Sequence, residues 1–304
     1  MRGRGLRAGL LWAAAGVLAG ACGAGGESEV EFEVEVESET ESESESETET
    51  ETESESETET ESAVAWSAPA GTTWAIQYSG VIDTSPAVAM ANLDLFDTDD
   101  AVFAAFRAGG AGIVCYFSAG STEDWRPDAD QFPTAAIGKP LDGWPGERWL
   151  DIRDSGVRTV LLGRLDRAVT RHCDGVDPDN VNGHDNDTGF GLTRADLLAF
   201  NRWLASEAHA RGLAIGLKNG PDMAAELEPD FDWELSEECL DFGECDDYAP
   251  FIAAGKAVFH LEYVASRADG PARRDAVCTD PRRAGFSTLI KTLDLDAWAL
   301  ACPR

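Results

Sequence analysis

The sequence predicts an α/β fold of the (β/α)₈ barrel type, preceded by a signal peptide and a disordered acidic linker. About 240 residues follow the acidic segment, which is close to the usual length of a single barrel of this kind. Within them, short apolar runs end in polar clusters and are separated by helical stretches. This repeated order of strand, polar end and helix builds a parallel barrel, with its chemistry at the carboxyl ends of the strands.

Eight buried strands are predicted, most of them as continuous apolar runs, because barrel strands are covered on both faces. The predicted strands span residues 73–78, 89–95, 112–117, 148–152, 174–177, 213–217, 231–235 and 257–262. The segment 118–146 exceeds ordinary connection lengths, and we expect it to form an ordered loop at the catalytic face.

Helical patterns separate the strands. The clearest one covers residues 194–211, where Thr193 and Asp196 have capping-box spacing and Gly212 can supply the left-handed residue at the end. Similar patterns predict further helices over residues 99–108, 155–171 and 246–254.

The first 22 residues have the form of an export signal. Arg2, Arg4 and Arg7 precede an apolar stretch that ends in small residues before Cys22. This ending predicts a lipoprotein whose Cys22 is lipidated, with plain secretion as the alternative. The stretch is too short for a transmembrane anchor, so we expect membrane attachment only through the lipid.

Residues 23–65 are predicted to be a disordered linker. Glutamate occupies all 18 odd positions from Glu27 to Glu61, and Ser, Thr or Val fill most positions between. Like charges two residues apart repel and little apolar surface can be buried, so this segment should act as an extended spacer. The globular domain is then predicted to span residues 66–304.

The globular part is strongly acidic. Outside the signal and the linker there are 39 acidic and 21 basic residues, a net charge of −18. This charge argues against a nucleic-acid partner and favours a cationic or neutral substrate. We expect a monomer.

Apart from Cys22, the chain has six cysteines, and in an exported protein an even number indicates disulfides. Six cysteines allow 15 pairings, among which the sequence alone does not choose. Proximity suggests Cys239 with Cys245 and Cys278 with Cys302, which leaves Cys115 with Cys173. A zinc site is disfavoured because the chain has no CxxC pair and only scattered histidines. No metal or other cofactor is predicted.

Two acids at strand ends are the candidate catalytic residues. Asp179 follows Pro178, which restricts the backbone and holds the carboxylate at the barrel rim. Glu237 ends the seventh predicted strand, with Glu234 and Glu238 as rivals. Lys218 ends the strand between them and can keep a neighbouring carboxylate ionised by lowering its pKa.

Other polar residues near strand ends are candidate substrate contacts, although each can equally be a structural hydrogen bond at the rim. Trp125, Trp144 and Tyr263 are candidates for stacking on sugar rings. The full set of predicted contact residues is Gln77, Asp94, Tyr116, Asp177, Asn180, Lys218, Asn219, Glu262 and Tyr263.

Several multi-residue motifs resemble glycoside hydrolase family 114, the endo-α-1,4-polygalactosaminidases and their relatives on a (β/α)₈ barrel. These motifs are YFSAGSTEDWRPD, WPGERWLDIR, DGVDPDNVNG, GLAIGLKN, SEEC and GKAVFHLEY. The resemblance implies cleavage of α-1,4-linked galactosamine-containing polysaccharide, with Asp179 and Glu237 at the positions of the family's proposed acids. The chain departs from the family pattern at Asp177, often a glutamate in relatives, and at Asn182, which replaces an aspartate.

The hypothesis from the sequence is therefore an exported, endo-acting hydrolase of the two-carboxylate kind. Glu237 is assigned as general acid/base and Asp179 as nucleophile, and a retaining outcome is favoured. The alternative is a surface lipoprotein that binds polysaccharide without cutting it, with the same strand-end residues forming its binding groove.

Overall fold

A computed structural model describes residues 66–303 of the chain. The predicted signal peptide, Cys22 and the linker over residues 23–65 lie outside the described residues. Within residues 66–303, no helix is both long and apolar enough to cross a bilayer.

Twelve strands make up two sheets in the described part of the chain. In chain order they are β1 Trp74–Gln77, β2 Met90–Asp94, β3 Gly112–Ser118, β4 Ser121–Glu123, β5 Ile137–Pro140, β6 Glu147–Leu150, β7 Gly175–Asp179, β8 Ala214–Lys218, β9 Trp233–Glu237, β10 Val258–Tyr263, β11 Ser287–Lys291 and β12 Leu300–Ala301.

The larger sheet is curled and has nine strands in the order β1-β2-β3-β7-β8-β9-β10-β11-β12. The first eight pair in parallel and β12 is antiparallel, an arrangement consistent with a TIM-type barrel. Side chains connect β1 to β11: Trp74 Nε1 donates to the Ser287 carbonyl at 2.8 Å and Lys291 Nζ donates to the Ile76 carbonyl at 3.0 Å.

Seven of the eight predicted barrel strands are confirmed within two residues at either end. The prediction for residues 148–152 is wrong, because β6 belongs to a separate antiparallel sheet of order β4-β6-β5. This small sheet also replaces much of the loop predicted over residues 118–146. The eighth parallel strand is β11, whose polar residues Ser287, Thr288 and Lys291 obscure its burial in the sequence.

Seven α-helices are present in the described residues, most of them between successive parallel strands. They are α1 Asp100–Ala108, α2 Ser155–Thr170, α3 Arg194–His209, α4 Pro221–Leu227, α5 Cys239–Phe242, α6 Ala249–Ala253 and α7 Gly270–Thr279. The predicted capping box at the start of α3 is confirmed, with Thr193 and Asp196 bonding reciprocally. The helix predicted over residues 246–254 is instead a 3₁₀ turn followed by the short α6.

Two apolar clusters cover the two faces of the large sheet. The inner cluster includes Trp74, Trp233, Phe259 and Leu261, and the outer cluster packs the sheet against the helices. Gly216 leaves room for the ring of Trp233 on the neighbouring strand, since a Cβ there would lie 2.1 Å from Trp233 Nε1. Residues on the inner face at the carboxyl ends of the strands therefore point towards one region.

All three predicted disulfides are confirmed: Cys115–Cys173, Cys239–Cys245 and Cys278–Cys302. The first joins β3 to Cys173, two residues before β7. The second closes a short loop that begins two residues after Glu237, and the third joins α7 to the C-terminal segment. The second bridge is therefore the one that restrains the candidate site directly.

Candidate active site

Three neighbouring strands bring the predicted acids and the lysine together. Asp179, Lys218 and Glu237 are the last residues of β7, β8 and β9, which are adjacent in the sheet. Lys218 Nζ lies 3.6 Å from Asp179 Oδ1 and 3.5 Å from Glu237 Oε2. One ammonium group therefore bridges the two carboxylates.

Lys218 is almost fully buried, with 3 % of its side chain exposed. Burial alone would lower the pKa of this amine, but the carboxylates of Asp179, Glu237 and Asp177 outweigh that effect and raise its pKa above the ordinary value. The ring of Tyr116 lies 5.8 Å from the ammonium and adds a cation–π contact. Lys218 is thus a fixed cation.

Glu237 accepts hydrogen bonds on both carboxylate oxygens. The Tyr263 hydroxyl donates to Oε1, and Asn219 Nδ2 donates to Oε2 at 3.1 Å. Burial works to raise the pKa of Glu237, but Lys218 and these donors outweigh it, so the pKa lies below the usual range. The Glu237 backbone N–H also donates to Asn219 Oδ1 at 2.9 Å, which fixes the strand end. The free site therefore holds Glu237 as an anion.

Asp179 is bonded differently. Its Oδ1 accepts from the Asn180 backbone N–H at 2.8 Å and its Oδ2 from the Tyr116 hydroxyl at 3.2 Å. Burial and the Asp179 carboxylate raise the pKa of Tyr116 well above its ordinary value, so this phenol remains a donor. About a fifth of the Asp179 side chain is exposed, which leaves it accessible to solvent at the carboxyl end of β7.

Asp177 lies beneath these residues and is fully buried. Its Oδ2 accepts from Asn92 Nδ2 at 2.7 Å and from the Tyr78 hydroxyl at 3.3 Å. Burial raises the pKa of Asp177, although Lys218 and Asn92 act in the opposite direction. Because it is inaccessible, Asp177 supports the floor of the site, and the structure corrects its prediction as a substrate contact.

Three further predicted contact residues are bonded within the protein. Gln77 lies on the outer face of β1 and donates to the carbonyls of Ser79 and Val81. Glu262 is fully buried on the outer face of β10, where it pairs with Arg273 and accepts from His260. These two predictions are wrong, because alternate residues of a strand face opposite sides of the sheet.

Asp94 is at the predicted strand end, but its carboxylate is occupied. It pairs with Arg126 through both oxygens at 3.0 and 2.7 Å and caps the backbone N–H groups of Phe96 and Asp97. Its side chain therefore organises the loop after β2, and a substrate contact by Asp94 stays a prediction. By contrast, Tyr116, Asn180, Lys218, Asn219 and Tyr263 all bond within the site described above.

Sequence reasoning missed several residues that support this site. They are Tyr78, Asn92, Ser118, Ser121 and Glu147. Asn92 is a polar residue in an apolar strand and is completely buried. That pattern was a usable signal, since a buried amide requires a hydrogen-bonding partner.

Two groups of side chains bring potential metal ligands together in the described residues. One contains Cys239, Cys245 and His260, but its two cysteines are bonded to each other. The other contains His184, Asp185 and Asp222 at the surface, where Arg194 already pairs with Asp222. Neither group includes Asp179 or Glu237.

Comparison with known proteins agrees with this geometry. The model of glycoside hydrolase family GH114 matches residues 55–304. The chain belongs to glycoside hydrolase family 114. Among solved structures, Ega3 from Aspergillus fumigatus, crystallised with galactosamine, is 42% identical to it, with a TM-score of 0.74 over 79% of this chain and 98% of Ega3.

A second solved structure is similar to the chain in its fold alone. The glycoside hydrolase domain of PelA from Pseudomonas aeruginosa is 16% identical, with a TM-score of 0.59 over 75% of this chain and 98% of that domain. No curated protein sequence matches the chain. Family membership makes this protein a glycoside hydrolase, which is the chemistry that two carboxylates facing one cleft can perform.

The distances limit how that chemistry can proceed in this family-114 enzyme. Since Lys218 Nζ contacts both acids, Asp179 Oδ1 and Glu237 Oε2 lie no more than about 7 Å apart. Retaining glycosidases hold their carboxyl groups roughly 5–5.5 Å apart and inverting ones about 6.5–9.5 Å. The limit on this oxygen pair admits the retaining separation and also the lower end of the inverting range.

Proposed function

We propose that this protein is an exported, endo-acting hydrolase of α-1,4-linked galactosamine-containing polysaccharide, with Asp179 and Glu237 as its catalytic acids. The observation that carries the proposal is the single buried ammonium of Lys218 between these two partly exposed carboxylates. Both acids end neighbouring strands, contact this one cation and remain about one fifth to one quarter exposed.

In the proposed mechanism Asp179 is the nucleophile. Glu237, protonated in the substrate complex, donates its proton to the glycosidic oxygen while an Asp179 oxygen bonds to the anomeric carbon and the bond to the leaving oxygen breaks. Water then attacks the same carbon, Glu237 takes a proton from that water, and the ester to Asp179 breaks. The separation limit of about 7 Å for one oxygen pair is compatible with this two-step route.

The proposed substrate is a polymer with free amino groups. The globular part carries a net charge of −18, and the site holds three acids around one lysine. The negative charge of the domain therefore attracts a protonated amine during its approach, and the carboxylates of the site attract it once it is bound. Ega3 was crystallised with galactosamine, which supports an amino sugar here as well. Trp125, half exposed, and Trp144 are proposed to stack on sugar rings.

The decisive experiment measures release of reducing ends from de-N-acetylated α-1,4-polygalactosamine. Asp179→Asn and Glu237→Gln preserve shape but remove ionisation, so each should lower turnover by about 10³-fold or more with the fold intact. Wild-type activity in either variant would remove that residue from the mechanism. Binding of the polymer without any release of reducing ends would instead favour the non-catalytic binding protein.

Glu238 is the rival to test beside Glu237. Burial and the nearby carboxylates of Asp241 and Glu262 raise its pKa to about 7, a value suited to a general acid. Its backbone is left-handed, with φ of 57°, and it immediately precedes the loop closed by Cys239 and Cys245. In the proposed mechanism Glu238→Gln stays active. Inactivity of this variant together with activity of Glu237→Gln would transfer the acid role to Glu238.

The proposed export and lipid anchoring rest on the N-terminal sequence. Expression of the full chain in a bacterium fed labelled palmitate should label the wild type and leave Cys22→Ser unlabelled. Secretion of an unlabelled wild-type protein would favour the signal peptide without an anchor.

A further inference from the structure

A buried hydrogen-bonded chain connects Glu147 on β6 to the loop that carries Asp179. Ser121 Oγ donates to Glu147 Oε2 at 3.0 Å, Ser118 and Ser121 bond through their hydroxyls at 2.6 Å, and Asn180 Nδ2 donates to Ser118 Oγ at 2.9 Å. Both serines are completely buried and Glu147 is 6% exposed. The chain therefore couples the small antiparallel sheet to the end of β7.

The direction of the protons along this chain is fixed by its bonding. Ser118 Oγ accepts from Asn180 Nδ2 and from the Ser121 backbone N–H at 3.2 Å, which occupies both of its lone pairs. Its own proton must then go to Ser121 Oγ, and Ser121 passes its proton to Glu147. Glu147 is thus the terminal acceptor, and the Asn180 amide is the donor at the other end.

Asn180 is held in an uncommon conformation that matters for Asp179. Its φ is 62°, in the left-handed region, and in this conformation its N–H donates to Asp179 Oδ1. The Asn180 carbonyl lies so close to Gly120 that a Cβ there would be 1.8 Å from the oxygen. The side-chain bond to Ser118 and the contact at Gly120 therefore both fix this backbone.

We propose that Glu147 is a positioning residue that, through Ser121, Ser118 and Asn180, holds the Asp179 carboxylate in its reactive orientation. The inference rests on the proposed catalytic role of Asp179. A carboxylate that a fixed backbone N–H already holds in the reactive orientation does not have to reorient before it attacks, and this lowers the barrier of the reaction.

The charges around Glu147 favour its neutral form. Burial and the nearby carboxylates of Glu123 and Asp179 raise the pKa of Glu147 to about 8, while the Ser121 hydroxyl and Arg126 act in the opposite direction. A neutral carboxyl still accepts a hydrogen bond on its carbonyl oxygen. Glutamine at position 147 reproduces this neutral acceptor, whereas leucine of similar size removes it.

The test compares Glu147→Gln, Glu147→Leu and Ser118→Ala in the full-length protein on the polymer named above. Glu147→Leu and Ser118→Ala should each lower kcat about tenfold with little change in KM. Both should also move the acid limb of kcat/KM to higher pH, because a displaced Asn180 N–H stabilises the Asp179 anion less. Glu147→Gln should retain wild-type kcat below the pKa of Glu147.

Controls separate this role from simple destabilisation. Thr122→Ala removes another buried hydroxyl from β4 and should leave the acid limb in place. The double variant of Ser118→Ala with Glu147→Leu should be no slower than the slower single variant, since one broken link disables the chain. Should Glu147→Leu fail to fold, Ser118→Ala alone carries the same readout.

Unchanged acid limbs in Ser118→Ala and Glu147→Leu, with Asp179→Asn inactive, would overturn the positioning role and leave the proposed function standing. An active Asp179→Asn would overturn both.

Discussion

Lys218 Nζ lies 3.5 Å from Glu237 Oε2 and is nearly as close to Asp179. The sequence predicted that the lysine keeps the aspartate ionised, but its ammonium lies at nearly the same distance from both carboxylates. In the free site it lowers the pKa of the glutamate that the mechanism needs in protonated form. The pH dependence of the reaction should therefore report directly on this contact.

Lys218→Met removes the charge and keeps most of the side-chain length. The pKa of Glu237 should rise, so the alkaline limb of kcat/KM moves to higher pH. The rate at the optimum should fall about 10–100-fold, because Asp179 also loses its cation. Initial rates across a pH series measure both effects. Lys256→Met, at the opposite end of the barrel, is the matched control, and an unshifted alkaline limb in Lys218→Met would contradict this account.

The two tyrosines at the site should affect opposite limbs of the pH profile. Tyr263→Phe removes a donor to Glu237 and should move the alkaline limb to higher pH. Tyr116→Phe removes a donor to Asp179 and should move the acid limb to higher pH instead. Each should lower kcat by about tenfold. Identical profiles for the two variants would show that the acids do not have separate roles.

The proposed two-step route, with Asp179 as nucleophile, predicts retention of configuration. Proton NMR of freshly cleaved polymer should therefore show the α-anomer of the new reducing end before mutarotation produces the β-anomer. Early appearance of the β-anomer would mean that a water molecule fits between the acids, and Asp179 would then act as a base.

The two C-terminal disulfides should separate activity from stability. Cys239–Cys245 spans six residues beside Glu237, and Cys278–Cys302 spans 24 residues away from it. Chain entropy suggests a loss of about 2 kcal/mol for the first and about 3.5 kcal/mol for the second. Replacing Cys239 and Cys245 by serine should lower kcat more than replacing Cys278 and Cys302 does. The replacement of Cys278 and Cys302 should lower Tm more. The reverse order would show that the short loop does not hold the site.

Ionic strength should distinguish cationic from neutral polymers. The domain of charge −18 attracts a polyamine over a range that shrinks to about 10 Å near 0.1 M salt. The KM for de-N-acetylated polygalactosamine should therefore rise with added salt, whereas the KM for a fully N-acetylated polymer should change little. Equal salt dependence for both polymers would assign the acidic surface to solubility alone.

The sequence predicted much of the site, because strand ends in a parallel barrel converge wherever the strands are identified correctly. Asp179, Lys218 and Glu237 were found in this way. Strand ends do not reveal which face a residue occupies when both faces are apolar, and Glu262 was misplaced for that reason. Its neighbours Leu261 and Tyr263 face the interior, whereas Glu262 faces Arg273 outside.

The fold was predicted less completely at its two irregular places. Trp149 and Leu150 are buried and resemble barrel residues, but their partners are local strands of an insertion. β11 escaped notice because Lys291 is rarely expected in a core. Its ammonium donates there to the carbonyls of Ile76 and Asp296. The local sequence around Lys291 does not indicate these partners.

Lys291 donates to the Ile76 carbonyl and Trp74 donates to the Ser287 carbonyl, and these bonds join the first parallel strand to the last, more than 200 residues later in the chain. A growing polypeptide cannot make them until β11 has been synthesised. Until then β1 has one open edge, and such edges can pair with strands of other molecules. Completion of the fold therefore waits for the C-terminal residues, so a chain truncated before β11 should be prone to aggregation even though Asp179, Lys218 and Glu237 are all present.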